Sequence, residues 1–388
     1  MKFKLLFVDK LNNEQNRYQS LSDILGEQYE IYFASDSQEA LNTLKNNDID
    51  VCLIQFDSTS FNSLDLLTKI KRSFPKTIRI LLSEDFSEKL SIRTFNLLHQ
   101  VIKCPIEDKL LKEKLEPLLI LKNLIKNDKL ISKLNSEDGI PTLPEIYFKL
   151  EKELFSPEVS IHKVVNLISK DISLTTKIFQ LVNSAYYGIP AKITDFYQAV
   201  NILGLNVIKS IVIYTKVFAH LEKKGELKEI IEAIWNHSIL VSSISQKIIF
   251  YFTGNRDLAE QAYIAGILHD IGKIILINIE PNYIKELKIS RNNAFSDDDL
   301  EKSFYGVSHT EIGAYALALW GFPRSIVDAA LLHHSSTIVN DFSVSNIIQI
   351  SHKLANIEGI DSVLYDTFIS KEALIEYLSL TKTLESLQ

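Results

Sequence analysis

A chain of 388 residues is too long for one ordinary core, so two or three domains are expected. Hydrophobic residues make up 46% and charged residues 23%, the balance of a folded globular protein, which excludes a disordered tail. The net charge of −7 argues against wholesale binding of a nucleic-acid backbone, and no nucleic-acid partner is expected. No run of eighteen uninterrupted apolar residues occurs, so neither a spanning helix nor membrane association is expected. Met1-Lys2-Phe3-Lys4-Leu5-Leu6 has the order of a signal peptide, but its apolar run stops at Asp9 without a small-residue cleavage site. A buried first strand and a cytoplasmic location are the expectation. Cys52 and Cys104 are too few for a disulfide framework and read as reduced thiols in a core. With 12 Gly and 9 Pro in the whole chain, long helices and short connections are expected.

Along the first hundred residues, strand and helix patterns alternate. Phe3 to Val8 is an apolar run, an amphipathic segment covers about Asn13 to Leu25, and Ile31-Tyr32-Phe33 begins a second strand. Ser35 or Asp36 can cap a helix carrying Ala40, Leu41 and Leu44. Val51 to Ile54 reads as a strand buried on both faces. A helix begins at Leu64, Ile78 to Leu82 is another strand, and Val101-Ile102 a last one. This alternation implies an α/β parallel sheet covered on both faces, with its functional crevice at the carboxyl ends of the strands.

The residues at those ends are Asp9, Gln55, Ser83 and Lys103-Cys104-Pro105. With them, residues 1–125 resemble a response-regulator receiver domain, of flavodoxin-like fold. The resemblance implies an acidic pair after the first strand, an acceptor aspartate after the third, Ser or Thr after the fourth and Lys-Pro after the fifth, with carboxylates holding a hard divalent cation. Here Asp9 is followed by Lys10, Gln55 stands at the acceptor position, and Cys104 precedes the proline with Lys103 displaced by one. An amide is no nucleophile for phosphoryl transfer, and Asp57 falls beyond the acceptor position in the following loop. The reading is a pseudo-receiver, kept for protein interaction or dimerisation.

From Glu107 to Leu134 the pattern is helical, and Leu111, Leu118 and Ile125 recur every seven residues, the spacing of a short coiled coil. Pro117 is expected to kink or break this run, leaving a long fifth receiver helix and then a looser connector over 126–140. Asn135 to Pro141 is polar and turn-rich, which places the domain boundary there. Helical periodicity dominates thereafter: about 145–154, 161–169, 174–183, 193–203 closed by Gly204, 206–221, 226–252 and 257–277. The second module is therefore expected over 141–360 and all-α, with a helical extension over 361–388.

Leu143-Pro144-Glu145, Ile168-Ser169-Lys170-Asp171 with Leu174-Thr175, Val182 to Gly188, and Ala199-Val200 with Leu203-Gly204 occur in this order, and together resemble the HDOD family. The resemblance implies kinship with the HD and HD-GYP phosphohydrolases, an HD-like half from about residue 225, and a regulatory or scaffolding role. In HD-type enzymes a histidine on one helix, a His-Asp doublet on the next and a distant aspartate hold metal. His237, His269 and Asp270 match the first three, and His352 stands where the aspartate is expected. His309 and the pair His333-His334 match the histidines that HD-GYP relatives add for a second metal, and Lys273 matches their phosphate-contacting lysine. Imidazoles with a carboxylate suit Fe, Mn or Zn. Adjacent His269 and Asp270 can both reach a metal at a bend such as Gly272 permits. The GYP signature is absent, since Ser335-Ser336-Thr337 follows His333-His334. His99, His162 and His220 match nothing and read as surface or structural residues, while Trp235 and Trp320 read as core.

Three functions compete. The first is a signalling adaptor that binds other signalling proteins, with a homodimer as one arrangement. The second is a metal-dependent phosphohydrolase of a nucleotide or cyclic dinucleotide, using Asp270 and Lys273 in catalysis. The third is a sensor that binds a nucleotide ligand without chemistry.

Overall fold

The structure is a computed structural model that describes residues 2–9, 28–55, 63–83, 97–105, 107–125, 128–135, 139–141, 143–154, 160–183, 192–217, 225–290, 297–335 and 342–356. Five strands, β1 (Phe3–Val8), β2 (Tyr29–Ala34), β3 (Val51–Gln55), β4 (Ile78–Ser83) and β5 (Gln100–Lys103), form one parallel sheet in the order β2-β1-β3-β4-β5. Alternation along β1 sends Leu5 and Phe7 to one face of the sheet and Leu6 and Val8 to the other, and all four are buried. Helices α1 (Ser37–Asn46) and α2 (Ser63–Ser73) cover the second face through Ala40, Leu44, Leu66 and Ile70. Asp36 caps α1 by accepting from the Gln38 and Glu39 amides. Strand order reverses at β1, so the crevice opens at the carboxyl ends of β1 and β3, where Asp9 and Gln55 lie. The expected helix over Asn13–Leu25, and also Lys10 and Asp57, lie outside the described residues.

The expectations for the connector are corrected. Helix α3 (Asp108–Leu124) runs through Pro117 without a break, and α4 (Asp128–Leu134) follows. An interior proline costs about 3 kcal/mol. Around it Leu115, Leu118, Leu119 and Leu121 are all buried, and each such side chain contributes about 1.5–3 kcal/mol, which outweighs the loss. The seven-residue seam is not a coiled-coil surface, because Leu111, Leu118 and Ile125 are buried within the chain's own core. Nor is α4 a loose connector: Leu130, Ile131 and Leu134 are buried, and Lys133 pairs with Glu280 at 2.9 Å.

The rest is helical: α5 (Glu145–Leu154), α6 (Ile161–Ile168), α7 (Ile172–Val182), α8 (Phe196–Leu203), α9 (Leu205–Val217), α10 (Gly225–Thr253), α11 (Arg256–Leu268), α12 (Ile271–Ile279), α13 (Tyr283–Ser290), α14 (Asp297–Tyr305), α15 (His309–Leu319), α16 (Arg324–Leu332) and α17 (Val344–Ala355). One hydrophobic core joins the inner sheet face (Leu5, Phe7, Leu53, Ile80) through α3 and α4 to the bundle. Helix α3 packs on α15, the Tyr315 hydroxyl donates to Asn135 Oδ1 at 3.2 Å, and Trp320 Nε1 donates to the Pro141 carbonyl at 3.0 Å. A cleft of about 910 Å³ lies between β5, α3 and the bundle, lined by Lys103, Tyr147, Lys209, Trp320 and Phe322 among others.

Several family motifs prove to be local scaffolding. Asp171 caps α7 through the Leu174 amide, and the Asn183 side chain bonds both the amide and the carbonyl of Ile193, which holds the two sides of the intervening segment together. Residues 184–188 of that motif lie outside the described residues, as do His220 and 361–388. Trp235 and Trp320 are buried, as expected for core residues. His99 is buried and structural: its Nδ1 accepts the Arg79 amide at 3.0 Å, and its Nε2 lies 3.2 Å from Arg79 Nη2. Both cysteines are buried thiols outside any disulfide, and burial pushes the Cys52 thiol up to about 12. Arg256–Ile279 is long and apolar enough to cross a membrane, but 89% of its apolar window is buried among the other helices, as in a core helix.

Candidate metal centre

The expected single helix over 257–277 is two helices. The break falls at His269-Asp270 rather than at Gly272: His269 is the C-cap of α11 and Asp270 the N-cap of α12. That break is what lets two adjacent side chains face one point. Gly272 serves a different purpose, since a Cβ there would run into the His309 carbonyl and the Gly313 amide. Its bare backbone allows α12 and α15 to touch and brings His309, the first residue of α15, against Asp270. Gly266 does the same between α11 and α10, where a Cβ would meet the Ser242 backbone.

The histidines sit at helix ends by a repeated device. At the C-cap of α11, His269 Nδ1 donates to the Gly266 carbonyl at 2.8 Å, and at the C-cap of α16, His333 Nδ1 donates to the Ala330 carbonyl at 2.8 Å. Each imidazole satisfies a carbonyl that the helix end leaves open. Each is thereby fixed with its proton on Nδ1 and its Nε2 lone pair inward. Ser308 and Glu311 form a capping box that starts α15, and His309 Nδ1 donates to Glu301 Oε2 at 2.7 Å.

The inward atoms converge on Asp270. Its Oδ1 lies 3.4 Å from His309 Nε2 and 3.4 Å from His333 Nε2, and its Oδ2 is 3.5 Å from His269 Nε2. His309 and His333 Nε2 are 3.4 Å apart. Among the described residues no hydrogen-bond donor reaches the buried Asp270 Oδ1, nor does a partner reach buried His334 Nε2. On the other side His352 Nδ1 stands 3.0 Å from His237 Nε2 and 3.2 Å from His269 Nε2. With Asn356 Nδ2 donating to His352 Nε2 at 3.2 Å, the His352 proton sits on Nδ1 between those two lone pairs. For His352 Nδ1 to serve as a ligand, its proton would have to move to Nε2, with the Asn356 side-chain amide turned to accept it. All seven sequence-predicted ligands are therefore brought together, in two groups that meet at His269 and Asp270: His237, His269 and His352, and Asp270, His309, His333 and His334.

Burial drives the pKa of His237, His269 and His352 down and lowers that of His333 to about 4, so these imidazoles are neutral at pH 7, the form that binds metal. His309 is the exception. Burial and Lys273 push it down, but Glu301 and Asp270 prevail and raise it to about 9. Burial alone would raise Asp270, yet Lys273 and the surrounding histidines hold it well below the usual carboxylate range. Lys273 Nζ donates to Asp270 Oδ2 at 3.1 Å, and although burial opposes its charge, Asp270 and Asp297 raise its pKa. A donor set of neutral imidazole nitrogens around a buried, ionised and under-bonded carboxylate oxygen fits a divalent transition ion.

Two residues of this region were missed in the sequence reading. Asp298 Oδ1 lies 3.0 Å from His334 Nδ1 and 3.5 Å from His309 Nδ1, and Glu301 accepts from His309. Their signal is the acid-rich turn from Asp297 to Glu301, which precedes His309 and reads by itself as a solvated helix start.

The receiver crevice contrasts with this. Gln55, Ser83 and Lys103 end β3, β4 and β5, and Asp9 follows β1, as predicted. Strand alternation turns Lys103 outward to the interdomain cleft, and it is the Cys104 thiol that faces the Gln55 side chain, 4.0 Å from Oε1. Among the described residues no acceptor carboxylate stands at the end of β3, where the last residue is Gln55.

A doubly wound receiver-type module followed by an HD-like helical bundle with an assembled His/Asp cluster defines a receiver-plus-HD class of protein. Residues 140–336 match the HDOD domain, and the chain belongs to the HDOD family. Helix α17, beyond that match, packs on α10, α11 and α16 and supplies His352. The chain is 26% identical over 199 residues to an uncharacterized protein of Treponema pallidum (strain Nichols), covering 51% of this chain and 38% of that one. It thus spans well under half the length of that curated relative. Among solved structures, it is similar to an HDOD domain protein of Geobacter sulfurreducens (20% identity, TM-score 0.46, covering 70% of this chain and 95% of that one). It is also similar to the signal receiver domain of an HD domain-containing protein from Pseudomonas fluorescens Pf-5 (26% identity, TM-score 0.29, covering 32% and 98%).

Proposed function

We propose that this chain is a regulatory module of signal transduction that works through contacts with other signalling proteins. Its pseudo-receiver over 1–125 is joined to an HDOD module over 141–360 that holds a transition metal. The observation that carries the reading is the state of the receiver crevice: Gln55 ends β3 at the acceptor position and faces a thiol, and an amide does not accept a phosphoryl group. The core shared by the sheet, α3 and the bundle supports communication by packing.

His237, His269, Asp270, His309, His333, His334 and His352 would hold Fe, Mn or Zn. A bound ion of this kind supplies Lewis acidity and a nucleophilic water at neutral pH. The chain's own residues fix the imidazole tautomers, keep the cluster dry and hold a proton on Lys273 beside Asp270. His269, His309 and His333 have no exposed surface, and a catalytic site needs an open position, which favours a structural or regulatory ion over turnover. The second reading, a phosphohydrolase of a nucleotide or cyclic dinucleotide, is favoured by one feature, the Lys273 ammonium at the edge of the cluster. Elemental analysis of the full chain purified without chelators, followed by turnover assays with a panel of cyclic dinucleotides and nucleotides, decides between them. Stoichiometric metal without turnover is the expected result. Hydrolysis abolished by His269→Ala would overturn the adaptor reading in favour of the enzyme.

A further inference from the structure

The cluster has an unresolved electrostatic feature. His352 occupies a position where the HD pattern supplies a carboxylate, and Asp270 is the one carboxylate in the inner set, with Lys273 already neutralising it. Divalent charge gathered around neutral imidazoles needs further anions close by. Helix α14 supplies them. Asp298 and Glu301 are three residues apart and so share a face of that helix, which points at the outer edges of two histidines. Glu301 Oε2 accepts from His309 Nδ1 at 2.7 Å and from the His309 amide at 2.6 Å, while its Oε1 accepts from the Tyr283 hydroxyl at 2.6 Å. Asp298 Oδ1 meets His334 Nδ1 at 3.0 Å, and its Oδ2 accepts from Thr310 Oγ1 at 3.3 Å. Glu301 is buried, and the Asp298 side chain is only 16% exposed.

We propose that Asp298 and Glu301 are the positioning carboxylates of the metal centre, holding His334 and His309 by Nδ1 so that each presents Nε2 to the ion, and restoring the negative charge that is missing at His352. The inference rests on the metal reading above and deepens it. Glu301 and His309 have the hydrogen-bonded geometry of a carboxylate–imidazole pair behind a metal, and Asp298 on the same helix stands at ion-pair distance, 3.0 Å, from His334 Nδ1. The carboxylate accepts a hydrogen bond from Nδ1–H, which fixes the tautomer and makes the opposite nitrogen a better ligand. His334 Nε2, buried and without a protein partner, is the atom such an arrangement leaves for a ligand. His269 and His333 are held by backbone carbonyls instead, so the imidazoles of the cluster differ in the charge standing behind them.

The test is metal affinity, measured on the full chain by chelator competition with Zn²⁺, together with the visible absorption of the Co²⁺-loaded protein. Glu301→Gln and Asp298→Asn are each expected to weaken Zn²⁺ binding by about 10–100-fold and to shift the Co²⁺ bands. Glu301→Asp should recover part of the loss. Asp299→Asn removes the same charge from an exposed position one residue along α14 and should change neither readout. Because buried Glu301 also anchors Tyr283, its variants can lose stability, and Asp298→Asn carries the test independently. Wild-type affinity and an unshifted Co²⁺ spectrum in Asp298→Asn overturn the positioning role while leaving the metal reading intact. Wild-type protein that takes up neither ion overturns both.

Discussion

The receiver crevice and the histidine cluster are both places where a fold gathers polar side chains at the ends of its elements, and they have been resolved in opposite ways. At the ends of β3 and β5 the facing groups are an amide and a thiol, Gln55 and Cys104, which need no counter-ion and cost little to bury. At the ends of α11, α12, α15 and α16 the facing groups are four imidazoles, an ionised carboxylate and an ammonium, nearly all removed from water. Desolvating such groups is expensive, and their mutual attraction repays it only when every lone pair finds a partner. Asp270 Oδ1 has no hydrogen-bond donor among the described residues, so the second site makes physical sense with a cation in it. The receiver-type crevice presents an amide and a thiol where the bundle presents imidazoles and a carboxylate.

The comparison breaks most readily at Asp270. In Asp270→Ala the metal should be lost altogether, and the metal-free protein should lose about 3–5 kcal/mol, because Lys273, with only 16% of its side chain exposed, is left without its nearest counter-charge. Adding Lys273→Met should recover part of that stability without restoring metal, which urea denaturation and elemental analysis read separately. Asp9→Ala at the receiver crevice should stay within about 0.5 kcal/mol of wild type, like a surface change. Equal losses at the two sites would erase the distinction. Next in size is Gly272→Ala, whose added methyl meets the α15 backbone. The expected cost is about 1–3 kcal/mol, with weaker metal retention because His309 moves with that backbone.

The dependence on pH sharpens the contrast. In metal-free protein His333 titrates near 4 in the folded state, against an ordinary value of 6.5. Between those values the unfolded chain binds more protons, so the stability that neutral His333 contributes is present above 6.5 and is lost as pH falls toward 4. His269 and His352 act in the same direction. His309, raised to about 9, acts oppositely: its contribution is full below 6.5 and is lost as pH rises through 9. Metal-free protein should therefore be most stable near pH 6.5. Zn²⁺ binding should release a proton from His309 at pH 7–8, so its affinity should rise with pH and level off near 9. Calorimetry in buffers of different ionisation enthalpy measures that proton, and its absence would remove His309 from the ligand set.

What the sequence made legible follows from the range of the interactions involved. Apolar runs such as Val51–Ile54 and the Asp36 cap are local, and they located strands and helix starts closely. The ligand histidines were legible because a family pattern orders them along the chain. Pro117 misled, since the burial that overrides it comes from the sheet and from α15, far away in sequence. The heptad of Leu111, Leu118 and Ile125 misled for the same reason: periodicity identifies an apolar stripe but not what covers it. Gly272 was marked as a hinge when its function is contact with α15, which no local pattern encodes. Asp298 and Glu301 were invisible because an acidic first turn favours any helix, and only the fold turns one face of it toward His309 and His334.

The smallest expected effect is also the sharpest test of the receiver half. Gln55→Asp supplies a carboxylate at the end of β3, and if one missing group were the whole defect, the full chain would then take up label from acetyl phosphate. It should not. Phosphoryl transfer also needs a cation held by further carboxylates and a lysine reaching in from β5, whereas the residue after Asp9 is Lys10 and the side chain facing position 55 is the Cys104 thiol. Lys103 lines the interdomain cleft instead, one residue out of register, and strand alternation keeps it there whatever occupies position 55. Incorporation in the single variant above the wild-type background would mean that the crevice is still poised for chemistry. The two regions would then differ by one side chain rather than by kind.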